Sequence, residues 1–493
     1  MCLSHERRIL KPEFSLYESQ AMVNTLQKEC HSQGLSDFEE EKSKDAAVFR
    51  LRMQKRKGEE FYLLYDPHSS KLFSVENKRR LIVQPHDFGH DFVPLHVWPD
   101  VPTVSPQTPL NKSLSPSILR IQLGRFDDCK PVGEAGVIGN LEDAKVFAEN
   151  LPLWLSAESR SAGEQPFQVE FWGGEPFTQW PALEYLGSFL SKNYSPVEIK
   201  VITTGHVLDQ NIITWLERLQ ILVVVRHDGP AQKFTLGADI FDEPVKAENL
   251  RQLYQRLHPT GKIRFCCRLS GYNHSLSAVK EYLAAHLGCR AMSIPLTTEE
   301  MLFSGSGKNC ISASKAEINP TDLRHTLFFE ISHGMAVHAQ SIKEKLQDFY
   351  RSLAYERPSS SLGQFCHMDR ADSLAVDLKG NALTCQAVSV EEGHAIGHVS
   401  DYANIRLNTA WHWSRREECP RCPVLQLCKG GCMKLEGGAW RQACDHRFAF
   451  HLALFAAGLY FLTGGVLKEI GGKVLRRPDL PGTLPVIQPD VLG

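Results

Sequence analysis

The strongest constraint on this chain is a run of four closely spaced cysteines, "CPRCPVLQLCKGGC", from Cys419 to Cys432. The spacing is C-x2-C-x5-C-x3-C, and Gly430 and Gly431 precede the last thiol. A C-x2-C turn lets two thiolates converge on one metal ion or one cluster edge, and adjacent glycines let the backbone bend around it. The run therefore predicts that the last third of the chain folds around bound metal.

Three further cysteines extend this run into a longer pattern. Cys366 is followed after thirteen residues by Gly380, Cys385 follows after four more, and Cys444 closes the series. Structural zinc is one interpretation, since C-x2-C pairs serve it well. Seven thiolates would leave two four-coordinate zinc sites one ligand short, whereas a cluster iron can take a different ligand or stay open. Zinc and iron–sulfur clusters both remain candidates on spacing alone.

The overall composition excludes several classes of protein. A chain of 493 residues predicts two or three domains, and its formal net charge of -2 gives no overall field that would recruit nucleic acid or an anionic membrane. The start, "MCLSHERRILKPEF", lacks the apolar stretch and cleavage site of a secretory signal. We therefore expect a cytoplasmic protein whose fourteen cysteines stay reduced.

One apolar segment, "FAFHLALFAAGLYFLTGGVL" from Phe448 to Leu467, approaches the ~20 residues of a membrane span. His451, Tyr460 and a Gly-Gly pair interrupt it, and it directly follows the cysteine pattern. We therefore predict a helix buried against the cysteine module and no membrane span.

The N-terminal region, residues 1–98, is predicted to be a small α+β module. Its charged stretch "FEEEKSKDAAVFRLRMQKRKGEE" suggests a helix, and "FYLLYDPHSSKLFSV" suggests a strand, a turn and a second strand. Residues 99–116 contain five prolines, which marks a linker.

From residue 117 onward, short β-branched runs alternate with amphipathic segments, which predicts βα units around a parallel sheet. The predicted strands and helices include "ILRIQL", "LEDAKVFAENLPLWL", "FQVEFW", "WPALEYLGSFLSKN", "EIKVITT", "LDQNIITWLERL", "ILVVVRHDG", "KIRFCCRL" and "LSAVKEYLAAHLG". After "FQVEFW" comes a turn of Gly173, Gly174, Glu175 and Pro176. Two glycines allow close backbone approach to a ligand, and Glu175 could pair with an ammonium group.

The seven cysteines together resemble the SPASM domain, the C-terminal extension of radical S-adenosylmethionine (SAM) peptide and protein maturases, which carries two auxiliary [4Fe-4S] clusters. The resemblance implies that one cluster is held by Cys419, Cys422, Cys428 and Cys444. It implies that the other is held by Cys366, Cys385 and Cys432, with an open iron or an oxygen or histidine ligand completing it.

Motifs in the central region resemble the same family. Thr203-Thr204-Gly205 and Arg226-His227-Asp228-Gly229-Pro230 resemble the family's Thr-Asn-Gly and Ser-x-Asp-Gly-Pro strand ends, and "LAVDLKGNALTC" resembles the start of its cluster module. The resemblance covers roughly residues 117–461. It implies an α/β protein with a partial (β/α)6 TIM-type barrel at 117–340, a SPASM module at 341–470 and a tail at 471–493. The family's Gly-Gly-Glu-Pro segment binds the amino group of SAM, which implies this role for Gly173 to Pro176.

One family motif is incomplete in this sequence. Members carry C-x3-C-x2-C after the first barrel strand, and its three thiolates hold the cluster that cleaves SAM. The corresponding positions here are Gln122, Phe126 and Cys129. Phenylalanine offers no donor atom and glutamine is a poor ligand for an iron–sulfur cluster, so the catalytic cluster is predicted to be lost.

Other cysteines and histidines offer no evident replacement. Cys266 and Cys267 are adjacent on a predicted strand, so at most one can point into the barrel. Cys289 and Cys310 lack the close spacing of a cluster loop, and we interpret all four thiols as buried small hydrophobes. His206 and His227 lie beside barrel motifs, but a hydrogen-bonded structural role is favoured over acid–base chemistry.

The resemblance implies a SPASM-type maturase homologue that keeps two auxiliary clusters and has lost the SAM-cleaving one. Such a protein would bind a peptide or protein substrate, pair with an active maturase or transfer electrons, and its SAM binding stays open. The N-terminal module is similar to the peptide-recognition modules of such maturases, although a capping hairpin is an equal alternative. The other hypotheses are an active radical SAM enzyme with unusual cluster ligands and a zinc-stabilised scaffold without redox chemistry.

Overall fold

The computed structural model describes residues 48–81, 98–113, 115–124, 139–155, 167–299, 319–408, 412–472 and 483–487. The strands described are β1 (Phe49–Lys55), β2 (Glu60–Asp66), β3 (Lys71–Ser74), β4 (Arg79–Arg80), β5 (Leu110–Asn111), β6 (Ile118–Gln122), β7 (Phe167–Trp172), β8 (Val197–Thr203), β9 (Leu222–Arg226), β10 (Ile263–Arg268), β11 (Leu296–Glu299), β12 (Ser373–Asp377), β13 (Asn381–Leu383), β14 (Ala395–His398), β15 (Arg406–Leu407), β16 (Gly465–Gly471) and β17 (Thr483–Pro485). The α-helices described are α1 (Leu141–Trp154), α2 (Trp180–Asn193), α3 (Gln210–Arg218), α4 (Gln232–Leu236), α5 (Pro244–Leu257), α6 (Leu276–Leu287), α7 (Pro320–Ser332), α8 (Gln340–Ala354), α9 (Leu425–Cys428) and α10 (Gly437–Thr463).

A nine-stranded mixed sheet forms the centre of the fold, in the order β11-β10-β9-β8-β7-β6-β12-β13-β14. Strands β6 to β11 are parallel neighbours in chain order, and β12 pairs with β6 in parallel. Helices α1, α2, α3, α5 and α6 follow successive strands. The predicted alternation of strands and helices is confirmed, and the fold is α/β.

The pairing of β12 with β6 joins the central sheet to the cysteine-rich region. Asp377, the last residue of β12, is the register partner of Gln122, the last residue of β6. The chain then turns at Gly380, where φ is +86°, and returns as β13 toward Cys385. This turn places Cys385 next to the carboxyl end of the first parallel strand, where ligands bind in sheets of this kind.

A second, six-stranded sheet combines both ends of the described chain, in the order β17-β16-β1-β2-β3-β4. The predicted strand–turn–strand around Asp66 is confirmed as β2 and β3. The predicted charged helix is wrong where it can be compared, because Phe49–Lys55 is strand β1. Its buried residues Phe49, Leu51 and Met53 alternate with polar ones, and this period of two indicates a strand.

Strand β16 pairs antiparallel with β1, so the predicted N-terminal module shares its sheet with a segment near the other end of the chain. Arg52 of β1 donates to Glu469 of β16 at 3.0 Å. The predicted border between residues 470 and 471 falls inside β16.

Helix α10 contains most of the apolar segment, and all its residues from Phe448 to Leu459 are buried. The helix ends earlier than predicted, because Gly464 adopts a left-handed conformation (φ +69°) and the chain continues as β16. No helix in the described ranges has the length and apolarity needed to cross a membrane.

Candidate functional site

One group of cysteines lines a pocket in the C-terminal region. Five cysteines line it: Cys419, Cys422, Cys428, Cys432 and Cys444. The remaining lining is mostly apolar and comes from Val424, Leu425, Gly430, Gly431, Trp440, Ala443, Arg447 and Phe448. Five thiols around one largely apolar space form a donor set that suits a soft metal or an iron–sulfur cluster.

Local backbone geometry brings these thiols together. Cys428 ends the short helix α9, and Lys429, Gly430 and Gly431 then all adopt positive φ angles of 52°, 79° and 75°. A Cβ atom at Gly430 would lie 2.6 Å from the Cβ of Trp413, so no larger residue fits there without a shift. The chain can therefore fold around the pocket only with a glycine at position 430.

Electrostatics also place four of these thiols in one group. Burial raises the pKa of Cys419 far above its usual range, and the neighbouring thiols of Cys422, Cys428 and Cys444 raise it further. The proton on Cys419 is therefore held tightly when no metal is bound. A bound metal or cluster would displace it, since metal ligation requires a thiolate.

A second group contains Cys366, Cys385 and Cys432. Burial raises the pKa of Cys366 to about 12, with further contributions from Cys385 and Cys432. Burial likewise raises the pKa of Cys385 to about 11, and Cys432 contributes in the same direction. The assignment of the seven cysteines to two cluster sites stays a prediction of the family resemblance.

The arrangement of potential ligands for a single metal ion was a separate question. Within the residues that the structure describes, no three His, Cys, Asp or Glu side chains are arranged to hold one metal ion.

The turn between β2 and β3 contacts the cysteine pocket from outside. The Nε2 atom of His68 lies 2.6 Å from the carbonyl oxygen of Pro420, between Cys419 and Cys422 in sequence. Gln426 on α9 donates from Nε2 to the carbonyl oxygen of Pro67 at 2.7 Å. The N-terminal hairpin therefore fixes the position of two backbone segments that carry pocket cysteines.

The Gly-Gly-Glu-Pro turn lies after β7, as predicted. Gly173 has a φ of +108°, and a Cβ atom there would collide with the backbone of Gly124, which follows β6. Glu175 is buried, with one oxygen accepting from the Thr203 hydroxyl at 2.7 Å. Its other oxygen accepts from the Thr204 hydroxyl at 2.6 Å and the Thr204 N–H at 2.8 Å. In this structure the carboxylate is thus occupied by contacts within the chain.

Gln122 lies at the position predicted for the first catalytic-cluster ligand. Its side chain is buried, and Nε2 donates to the carbonyl oxygens of Val388 at 3.1 Å and Gln386 at 3.4 Å. The amide thereby ties the end of β6 to the loop that follows Cys385. It does not fit the role of a cluster ligand. Phe126 and Cys129 lie outside the described residues.

His227 has a structural setting, as the sequence analysis favoured. It is buried, its Nε2 lies 3.2 Å from Asp239, and its Nδ1 accepts from the Gly229 N–H at 3.0 Å. Tyr282 donates to the other oxygen of Asp239 at 2.6 Å. His206 is partly buried, with Nδ1 3.3 Å from the Thr204 hydroxyl oxygen, and burial lowers its pKa.

Two of the four spare cysteines, Cys266 and Cys267, are buried as predicted. Cys266 packs with Trp172, Ile202 and Val224 on one face of the parallel strands, while Cys267 belongs to the main core on the opposite face. Cys289 is partly buried against the main core, and Cys310 lies outside the described residues.

Sequence analysis missed a buried charged layer next to the second cysteine group. Glu170 accepts from Arg120 at 2.9 Å and from Lys200 at 2.7 Å. Arg120 also donates to the sulfur of Met368 at 2.8 Å, close to Cys366 in sequence. A signal was available, since Arg120 and Glu170 are single charged residues inside the apolar strands "ILRIQL" and "FQVEFW".

Comparisons with known proteins gave matches only among solved structures, since no family model and no curated protein matches the chain. It is similar to anSMEcpe, solved with bound AdoMet and a Cp18Cys peptide (TM-score 0.48, 17% identity, 70% of this chain and 99% of that one). It is also similar to coproporphyrinogen III oxidase (HemN) from Escherichia coli, a radical SAM enzyme (TM-score 0.32, 12% identity, covering 55% of this chain and 65% of that one).

A third similar structure is SuiB from Streptococcus suis bound to S-adenosylmethionine (TM-score 0.35, 13% identity, 65% of this chain and 71% of that one). All three matches have TM-scores below 0.5 and sequence identities below 25%.

Proposed function

We propose that the chain is a radical SAM/SPASM-type maturase homologue that keeps two auxiliary [4Fe-4S] clusters and has lost the SAM-cleaving cluster. The observation that carries this proposal is the pocket lined by five of the seven cysteines, with Cys366 and Cys385 close enough to Cys432 to influence each other's pKa. Random mutation of an unused gene would not be expected to preserve all seven cysteines at these spacings.

Cys419, Cys422, Cys428 and Cys444 would hold the first cluster, and Cys366, Cys385 and Cys432 the second. The donor set fits, because buried thiols and a glycine bend suit a soft cluster. When bound, such clusters supply one-electron transfer. The second cluster would need an oxygen or histidine ligand or an open iron.

Loss of SAM cleavage is supported by the contacts of Gln122 and Glu175. The Gln122 amide is bonded to the loop after Cys385, at the first position where the family has a thiolate. Both oxygens of Glu175 accept hydrogen bonds from Thr203 and Thr204, so an incoming ammonium group would have to share or displace them. We infer that SAM binds weakly or not at all and that it is not cleaved.

A peptide partner is supported by exposed aromatic residues after β9 and β10. Phe234 is 65% exposed and Tyr272 is 42% exposed, and their rings stack at 5.2 Å with an angle of 17°. Arg268 lies in the same region and donates to Asp228 at 3.2 Å. Aromatic and arginine side chains are typical of protein-binding surfaces, so this patch suits a peptide bound at the carboxyl end of the sheet.

The deciding experiment is anaerobic reconstitution with iron and sulfide, followed by counting of iron, sulfide and zinc. We expect on the order of eight irons per chain, four for each cubane. Cys422→Ser should remove about one cluster, whereas Cys289→Ser, at a cysteine outside both groups, should keep both. Stoichiometric zinc without iron would favour the zinc-stabilised scaffold instead.

SAM chemistry separates the proposed homologue from an active enzyme with unusual ligands. The reconstituted protein is incubated with SAM and dithionite, with and without candidate peptides, and 5′-deoxyadenosine is measured by mass spectrometry. We expect no product above a protein-free control. Product that disappears in Cys129→Ala would establish the active enzyme.

A further inference from the structure

Arg416 is a buried cation beside the cysteine pocket. Only 7% of its surface is exposed, and its guanidinium lies over the ring of Trp440, a pocket-lining residue, at 4.7 Å. Nη2 donates to the carbonyl oxygen of Cys432 at 2.9 Å, and both Nη1 and Nη2 donate to that of Leu435 at 3.1 Å. These contacts fix the guanidinium in place, but every partner is formally neutral.

The contacts of Arg416 leave its positive charge without a carboxylate partner. Among the described residues, its Nε atom has no hydrogen-bond partner, and the largest electrostatic influences on it come from cysteine thiols rather than carboxylates. A buried charge is costly unless an opposite charge compensates it. The chain must therefore supply negative charge to Arg416 in some other form.

Cysteines from both groups are the source that the structure offers. Burial lowers the pKa of Arg416, and the thiols of Cys419, Cys432, Cys444 and Cys428 raise it, in that order of size. Three of these belong to the group of four, and Cys432 belongs to the group of three. A cluster with cysteine thiolates carries net negative charge, so it would provide what Arg416 lacks.

We propose that Arg416 is the shared counter-cation of the two clusters, and that its fixed charge raises their reduction potentials. This inference rests on the proposed cluster binding. On reduction, a cluster takes one electron from an external donor such as dithionite, and its negative charge grows by one. No proton moves, because Arg416 stays protonated throughout. A cation at fixed distance stabilises the reduced form more than the oxidised form.

The test is an anaerobic redox titration of the reconstituted full chain, followed by electron paramagnetic resonance, with iron and sulfide counted in parallel. Arg416→Gln removes the charge, Arg416→Lys keeps it, and Arg415→Gln removes the charge of an exposed neighbour. We expect Arg416→Gln to make reduction at least tenfold less favourable, which corresponds to about 59 mV for one electron. Arg416→Lys and Arg415→Gln should stay near the wild-type potential.

Each outcome bears on Arg416 separately from the proposed function. Full iron content with an unchanged potential in Arg416→Gln would overturn the inference while leaving cluster binding intact. If Arg416→Gln fails to hold clusters, Arg416→Lys decides: retained clusters at the wild-type potential support a role of charge, and equal loss shows that the carbonyl contacts alone matter. A wild-type protein that binds no iron would instead refute the proposed function.

Discussion

The Thr204 hydroxyl donates to Glu175 at 2.6 Å, and the Thr204 N–H donates to the same carboxylate oxygen at 2.8 Å. These two residues follow neighbouring parallel strands, β7 and β8, so the carboxylate joins the two strand ends. A residue expected from the family to meet a ligand is therefore also a structural tie in this chain.

Glu175→Gln should destabilise the central sheet by about 1–3 kcal/mol, because an amide NH2 group would face the donors of Thr203 or Thr204. Urea unfolding followed by tryptophan fluorescence would measure the change. Glu184→Gln, at an exposed site on α2, is the matched control and should leave stability within ~0.5 kcal/mol. Equal stability of both variants would show that the hydrogen bonds of Glu175 make no net contribution to the free energy of unfolding.

Gly173→Ala should destabilise the protein far more than Gly261→Ala. Both glycines have positive φ, +108° and +68°, but a Cβ at Gly173 meets the Gly124 backbone whereas nothing lies within 4 Å at Gly261. We expect Gly261→Ala to lower the free energy of unfolding by about 1 kcal/mol, because alanine disfavours a positive φ. Gly173→Ala should lower it several times more, because its Cβ also meets the Gly124 backbone. Thermal unfolding of the two purified variants would compare them, and similar melting temperatures would contradict the close approach.

The buried Glu170 predicts a specific acid sensitivity. Burial raises its pKa, but Lys200 and Arg120 outweigh burial and lower the pKa from 4.5 to about 2. A depressed carboxyl pKa stabilises the fold above about pH 4.5, and this contribution is lost as the pH falls toward about 2. Glu170→Gln should therefore lower the free energy of unfolding by ~3 kcal/mol at pH 7. It should also abolish the part of the acid-dependent loss of stability that Glu170 causes.

Urea unfolding at pH 7 and pH 3 would measure both effects for wild type, Glu170→Gln and the exposed control Glu184→Gln. An unchanged decline between the two pH values in Glu170→Gln would assign the acid sensitivity to other groups.

His68→Ala should weaken retention of the cluster on Cys419 by about fivefold, because one hydrogen bond of ~1 kcal/mol to the Pro420 carbonyl is lost. Iron release to a chelator, followed by loss of visible absorbance, would report it. His333→Ala, at an exposed histidine that follows helix α7, should release iron at the wild-type rate. Identical release from His68→Ala would mean that the hairpin does not brace the pocket.

Local sequence patterns predicted the parallel sheet well. "WPALEYLGSFLSKN" is helix α2 with both ends as predicted, because Leu183, Leu186 and Leu190 recur on one face and Pro181 suits the first turn. Cys266 and Cys267 point to opposite faces for the equally local reason that strand side chains alternate. The grouping of the cysteines needed the family resemblance, since spacing alone also allowed zinc.

Distant partners could not be predicted from local patterns. Strand β1 carries three arginine or lysine residues in seven, within a stretch predicted to be a charged helix, and its strand conformation depends on β2 and on the distant β16. The contact of His227 with Asp239 needs the chain to fold back over the intervening turn. Arg416 gave no sequence signal, because nothing local distinguishes it from the exposed Arg415 beside it.

The pairing of β1 with β16 also sets an order of events during protein synthesis. Strand β1 leaves the ribosome early, but its β16 partner, beginning at Gly465, is made almost a full chain later. At ~5–20 residues per second, this interval lasts roughly 20 to 80 s. During that time one edge of β1 has no native partner, and an open edge can pair with other chains. The β1 edge therefore stays open to pairing with other chains until β16 is made.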